Sequence, residues 1–351
     1  MTPEERTAEH IRFQAEGCRE LGSDMYGALL DECAADLVAG GPTHRVLAGY
    51  LDVRRRDALA LRLMAGVHAV VLSGAAPELA RHYPSAGGDW QASRDALWPA
   101  FVDVLFTHEA TIREWLGAAP QTNEVGRAAA LAGGLRYLAA DAPLEMRLTE
   151  IGASAGLNLR ADRFRISGAV ASSGPASSPL VLTDAWLGTS PPPAEVRVVD
   201  RIGFDLAPVD PTTAAGRVRL CAYVWADQLN RMLRLRAAID VAAQVPATLV
   251  AGDAVEAVPR LEPSSGRWTV LWHSVFQQYL SADQYAVLMA AVHRIGDAAT
   301  PDAPFAYLTL EPEPAATSPA VPVVLTTWPG ARRRVLGYAA TAHGLPVTWT
   351  C

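Results

Sequence analysis

The hydrophobic period of this chain changes once, at Asp141-Ala142-Pro143, and that change limits the folds open to it. Before it, residues 4–140 carry apolar positions three and four apart, with breaks at Gly40-Gly41-Pro42, Gly87-Gly88 and Ala119-Pro120. This spacing predicts helix almost throughout. Residues 58–72 are apolar nearly all round and predict the central helix of a bundle. After Pro143, short β-prone runs at 146–151, 196–204, 247–251, 269–272 and 305–310 alternate with helical stretches. That alternation predicts a mostly parallel sheet covered on both faces. Two further runs, 322–328 and 333–340, flank Pro329-Gly330 and predict a hairpin, hence an antiparallel edge. Residues 167–195 are rich in Ser, Gly and Pro and read as an insertion, in which only 180–182 is a candidate strand.

The 351 residues exceed the size at which one hydrophobic core stops growing. The expectation is therefore a helical domain, 1–140, with a lid or substrate-shaping role, followed by an α/β domain, 141–351. All 30 basic residues are arginine. The lack of lysine excludes a Walker-type phosphate loop and any Schiff-base chemistry. A net charge of -7 argues against nucleic acid as the main partner. The runs Arg54-Arg55-Arg56 and Arg332-Arg333-Arg334 are short and read as solvated or acid-pairing faces. Cys18, Cys33, Cys221 and Cys351 form no C-x-x-C, and the histidines form no H-E-x-x-H, so no metal site is expected. The charged N-terminus and the absence of a membrane-length apolar run predict a cytoplasmic protein with no membrane partner.

Chemistry concentrates at the ends of the expected strands. In Leu148-Thr-Glu-Ile-Gly-Ala-Ser-Ala-Gly-Leu-Asn-Leu159 a strand leads into a small-residue turn and then a helix. Such a turn lets a ligand approach the backbone, and a helix start adds unpaired amides and a positive dipole end. Val198-Val-Asp-Arg-Ile-Gly-Phe-Asp-Leu-Ala-Pro208 ends a strand with Asp205 and holds Asp200 as a second candidate. Here the bland alternative is that Asp205 and Asp210 only cap the next helix. Leu249-Val-Ala-Gly-Asp-Ala254 ends another strand, and Val270-Leu-Trp-His-Ser-Val-Phe-Gln-Gln-Tyr279 ends a fourth with His273 and Ser274. Open α/β sheets bind ligands at such carboxyl ends. Gln121-Thr-Asn-Glu-Val-Gly-Arg127 is the polar standout of the helical half, and Thr122 or Asn123 suits a helix cap.

Glu150, Gly152 and Gly156 resemble the acidic-x-Gly-x-Gly-x-Gly motif of class I S-adenosylmethionine-dependent methyltransferases, with Ser154 in place of the middle glycine. That resemblance implies a Rossmann-like, seven-stranded methyltransferase-type sheet with an antiparallel terminal hairpin. It implies S-adenosylmethionine as cofactor, held by Glu150, Gly152, Ala153, Ser154, Gly156 and Ser274. Asp205 then serves the ribose, and Asp253 with Ala254 serves the adenine. His273 becomes a candidate general base, with Tyr279 and Gln278 as positioning groups around a small-molecule acceptor. The whole chain also resembles an uncharacterised, mainly actinobacterial family, the domain of unknown function 2332. The motifs that carry this are those at 121–127, 150–159 and 203–210, together with Val224-Trp-Ala-Asp-Gln228. Three other readings stay open: a non-catalytic nucleotide-binding protein, an NAD-dependent oxidoreductase, and an α/β hydrolase with Ser154 as nucleophile and Asp253 and His343 as partners.

Overall fold

The computed structural model describes residues 1–53, 57–313 and 318–351, so the run Arg54-Arg55-Arg56 lies outside the described residues. In chain order the α-helices are α1 (Pro3–Glu20), α2 (Asp24–Val38), α3 (Pro42–Leu47), α4 (Leu59–Leu72), α5 (Pro77–Ala80), α6 (Arg94–Thr107), α7 (Glu109–Leu116), α8 (Ala128–Asp141), α9 (Ala214–Ala222), α10 (Leu229–Gln244), α11 (Ala254–Ala257) and α12 (Ala282–Asp297). The strands are β1 (Glu145–Ile151), β2 (Arg165–Gly168), β3 (Ser172–Ser173), β4 (Val181–Gly188), β5 (Val198–Asp205), β6 (Thr248–Ala251), β7 (Arg267–Ser274), β8 (Phe305–Leu310), β9 (Val321–Trp328), β10 (Arg332–Ala339) and β11 (Val347–Trp349). Two compact units result: Met1–Thr122 with Thr213–Leu233, and Asn123–Thr212 with Arg234–Cys351.

The first unit is helical. Helix α1 starts at a capping box in which the Thr2 side chain accepts from the Glu5 backbone and Glu5 accepts from the Thr2 backbone. Helix α4 is buried along nearly its whole length, as its all-round apolar sequence requires. The later segment joins this unit through named contacts. Trp225 packs on Tyr26, Asp227 accepts from the Ser23 hydroxyl at 2.6 Å and the Met25 N–H at 3.2 Å, and Gln228 donates to the Leu21 carbonyl at 2.6 Å. Asp227 thereby caps the start of α2 from a distant part of the sequence.

The second unit contains one mixed sheet in the order β3-β2-β4-β11-β10-β9-β8-β7-β1-β5-β6. It has eleven strands where seven were expected. Strands β6, β5, β1, β7 and β8 run parallel. Strand β9 is antiparallel to β8, and β10 to β9, which gives the hairpin about Pro329-Gly330. The additional strands are β2, which runs into the segment read as an insertion, β3 and β4 inside it, and β11. Strand β4 is obscured in sequence because Asp184, with φ +50°, interrupts its alternation and places Ala185 and Trp186 in succession on the buried side. Trp186 anchors this part by donating its indole N–H to the Ala129 carbonyl at 3.0 Å and meeting Trp349 edge-on.

Helix α8 packs on the sheet through Gly133 and Gly134. A Cβ at either position would collide with Trp349 or Leu308, so the glycines set how closely helix and sheet approach. The Arg332-Arg333-Arg334 run opens β10, where Arg334 pairs with Asp141 at 3.1 Å. No helix among the described residues is long and apolar enough to cross a membrane.

Candidate functional site at the carboxyl edge of the parallel strands

Because β1, β5, β6, β7 and β8 are parallel, the residues that follow them emerge on one edge of the sheet. Residues 152–156 follow β1. Their backbone repeats the left-handed conformation at every second position, with φ +68° at Gly152, +52° at Ser154 and +61° at Gly156. Serine rarely adopts this region, so Ser154 keeps the backbone that a glycine in its place would take. The turn is locked from several sides. Ser154 N–H donates to Asp205 Oδ2 at 2.8 Å, Ala153 N–H donates to the Phe204 carbonyl at 3.1 Å, and the Arg160 guanidinium donates to the Gly156 carbonyl at 2.6 Å. Ala153 and Ser154 are buried, while Gly152 is exposed and backed by Phe276, 2.5 Å from where its Cβ would be.

The element after this turn departs from expectation. Residues Leu157–Arg163 form a 3₁₀ segment kinked at Arg160, not an α-helix. The Leu157 amide is taken by Asn123 Oδ1 at 3.0 Å. Asn123 and Arg127 nonetheless sit at this edge. Arg127 donates to the Ser274 carbonyl at 3.3 Å and to the Ala342 carbonyl at 2.9 Å, tying the end of β7 to the loop at 340–346.

Three acids stand at the ends of the adjacent strands β1, β5 and β6. Glu150 is buried; its Oε1 accepts from the Trp272 indole N–H at 3.2 Å, whereas Oε2 has no partner. Burial pushes its carboxyl up to about 8, against the opposing Trp272 hydrogen bond and the charges of Arg160 and Arg127. Asp205 also accepts from the Ala207 N–H, through Oδ1 at 2.9 Å, and the Asp205 carbonyl accepts from Gly252 N–H at 2.9 Å. Asp253 caps α11 by accepting from Val255 N–H at 2.9 Å, and Ala254 begins that helix, buried. Asp200 lies mid-strand, paired with Arg147 at 3.5 Å, away from the edge.

His273 is fully enclosed. Its Nδ1 lies 2.6 Å from Glu311 Oε1 and its Nε2 lies 2.6 Å from the Tyr307 hydroxyl. With Nδ1–H donating to the carboxylate, Nε2 accepts from the phenol, and neither nitrogen is left for an acceptor molecule. Glu311 in turn accepts from Phe276 N–H at 2.8 Å and Gln277 N–H at 3.3 Å, so the buried chain fixes the loop after β7. Val275 in that loop holds φ +50°, a strained conformation for a β-branched residue. Gln278 is exposed and donates to the Val275 carbonyl at 3.3 Å; Tyr279 is half exposed.

Sequence reasoning passed over Glu311, Tyr307 and Arg160. Only Glu311 carried a signal, as the charged residue immediately after an apolar strand. Arg160 is buried, donates also to the Val245 carbonyl at 2.9 Å, and is lowered to about 10 by burial and then by the neighbouring Arg201 charge.

The family described as "Uncharacterized protein conserved in bacteria (DUF2332)" matches residues 8–349. The chain belongs to the DUF2332 family. No curated protein and no solved structure matches it. In this DUF2332 chain the four motifs separate by task. The one at 224–228 fastens α1 and α2 of the first unit, while those at 121–127, 150–159 and 203–210 supply Asn123, Arg127, the left-handed turn and Asp205 to the carboxyl edge of the second.

Proposed function

We propose that this chain is an S-adenosylmethionine-dependent methyltransferase acting on a small-molecule acceptor. The observation that carries the reading is the placement of Glu150, Asp205 and Asp253 at the carboxyl ends of three adjacent parallel strands, beside a turn with left-handed backbone at 152, 154 and 156. The strand order supports it. Numbered along the chain, the parallel strands run 3-2-1-4-5, so connections leave β1 in both directions and the switch point lies between β1 and β7. Ligands of Rossmann-like sheets bind at that point, outside the carboxyl ends.

The residues present fit the cofactor. The unpartnered, buried Glu150 Oε2 suits an ammonium group. Asp205, at the end of β5, is the residue for the ribose hydroxyls, and Asp253 with Ala254 stands one strand further along for the adenine. Gly152, Ala153, Ser154 and Gly156 follow β1, and Ser274 ends the neighbouring strand β7. S-adenosylmethionine supplies a methyl group already activated by its sulfonium charge. The chain's own contribution is then orientation, which can account for a large share of the acceleration. His273, enclosed by Glu311 and Tyr307, acts through the loop it holds; Tyr279 and Gln278 are the groups on that loop placed to orient an acceptor.

Calorimetry on the purified chain tests this. Saturable binding of S-adenosylmethionine and of its demethylated product, weakened at least tenfold by Asp205→Ala, is the expected result. Binding of neither, with tight binding of NAD, would replace the reading with an oxidoreductase.

A further inference from the structure

Arg136 stands within α8, 7% exposed. Its Nε donates to the Pro192 carbonyl at 2.6 Å, and its guanidinium carbon lies 5.8 Å from the centroid of the Trp186 ring. Among the described residues its two terminal nitrogens have no acceptor and no carboxylate within ion-pair reach. Burial alone lowers its pKa, with no neighbouring charge acting on it. An enclosed guanidinium without a counter-charge is an unfavourable arrangement that a fold usually avoids.

Arg136 borders a cavity of about 210 Å³, lined also by Leu135 on the same helix, Ser173 and Gly174 of the segment after β2, and Glu195 and Val196. The carboxylates on its wall are committed elsewhere: Asp162 to Arg201 at 2.6 Å and Arg163 at 3.1 Å, Glu195 to Arg197 at 3.1 Å. Val196 just precedes β5, whose first residue pairs with Met146 near the start of β1. The cavity therefore lies toward the amino ends of the parallel strands, opposite the edge described above.

We infer that this cavity is an oxyanion-binding site, in which the free end of the Arg136 guanidinium takes the carboxylate or phosphate group of a small metabolite. Two terminal nitrogens present a fork that matches two oxygens of such a group, which an ammonium could not do. Pockets for drug-sized ligands run to about 300–1,000 Å³, so this volume suits a compact acid. Trp186 supplies a flat apolar backing to the cation.

The test is titration of the full chain with sodium phosphate and, separately, sodium acetate, at constant ionic strength held with chloride, followed by calorimetry. At least one anion is expected to bind at a single saturable site, and the stronger of the two identifies the group the site prefers. Arg136→Gln should weaken that binding at least tenfold. Ser173→Phe, which fills the cavity and leaves Arg136 in place, should weaken it comparably and keeps the test decisive if Arg136→Gln does not fold. Neither variant should alter the affinity for S-adenosylmethionine. The inference is overturned if neither anion binds with a dissociation constant below about 10 mM, or if both folded variants bind within threefold of wild type.

Discussion

Ser154 gives its backbone N–H to Asp205 Oδ2 at 2.8 Å, so one charge-assisted bond joins the turn after β1 to the end of β5. The second oxygen of the same carboxylate holds Ala207 N–H. Asp205→Ala leaves both amides without their acceptor and should cost about 1–3 kcal/mol in urea unfolding. Asp205→Asn, which retains one acceptor oxygen, should cost less. Unchanged stability in the alanine variant would mean that water replaces both bonds and that the carboxylate does not hold the turn.

Replacing Ser154 by glycine separates two chemistries. The left-handed backbone at this residue carries roughly 1 kcal/mol of strain that glycine avoids, so Ser154→Gly should be as stable as wild type or slightly more so. It should bind S-adenosylmethionine within a few fold of wild type. A fluorophosphonate probe that labels wild type and spares the glycine variant would instead establish a serine nucleophile and discard the methyltransferase reading.

Glu150 makes stability depend on pH in a direction opposite to most carboxylates. Its native pKa is about 8 against 4.5 in an unconstrained chain, so between those values the native state binds more protons than the unfolded state. Its contribution is therefore complete below the unfolded value and is lost as pH rises toward 8, with a slope of at most about 1.4 kcal/mol per pH unit. Urea melts at several pH values should show wild type losing stability relative to Glu150→Gln across this window, and the difference should level off above it. A ligand ammonium at Oε2 favours the ionised form, so affinity for S-adenosylmethionine should rise with pH in wild type and stay flat in Glu150→Gln. Parallel stability curves for the two proteins would show that Glu150 is ionised in the fold.

His273→Ala removes the link between Glu311 and Tyr307 and leaves a void beside a buried carboxylate. The expected loss is about 3–5 kcal/mol, from the stranded charge and the cavity together. Amide exchange at Phe276 and Gln277 should accelerate as well, because Glu311 holds both N–H groups. A loss under about 1 kcal/mol would show that the cluster relaxes freely.

The five parallel strands were legible because strands enclosed on both faces are nearly continuous apolar runs, as β7 and β8 are. The acids at their ends were legible because Glu150 leads into the small-residue turn, Asp205 follows Ile202-Gly203-Phe204, and Asp253 follows Leu249-Val250-Ala251-Gly252. What escaped was set by distant contacts. Strand β4 is held by Trp186 and by pairing with β11, and neither is written in its own alternation. The enclosure of His273 depends on Tyr307 and Glu311, 34 and 38 residues later. Residues 213–233 join the first unit through Trp225, Asp227 and Gln228, whose partners lie some two hundred residues earlier in the chain. The helix expected after Gly156 failed for a local reason, the kink at Arg160, where a buried guanidinium reaches back to the Gly156 carbonyl.

Strand β11 is the shortest of the strands that have a neighbour on both sides. Its three residues, Val347–Trp349, pair with Gly337, Tyr338 and Ala339 on one side and with Trp186, Leu187 and Gly188 on the other, and among the described residues no other strand connects β4, β2 and β3 to the remaining sheet. Mechanically, the sheet is two ribbons spliced at one short joint. The smaller ribbon should breathe as a cooperative unit, releasing its amide protons well before those of β1 and β7, and Ser173 and Gly174 would move with it.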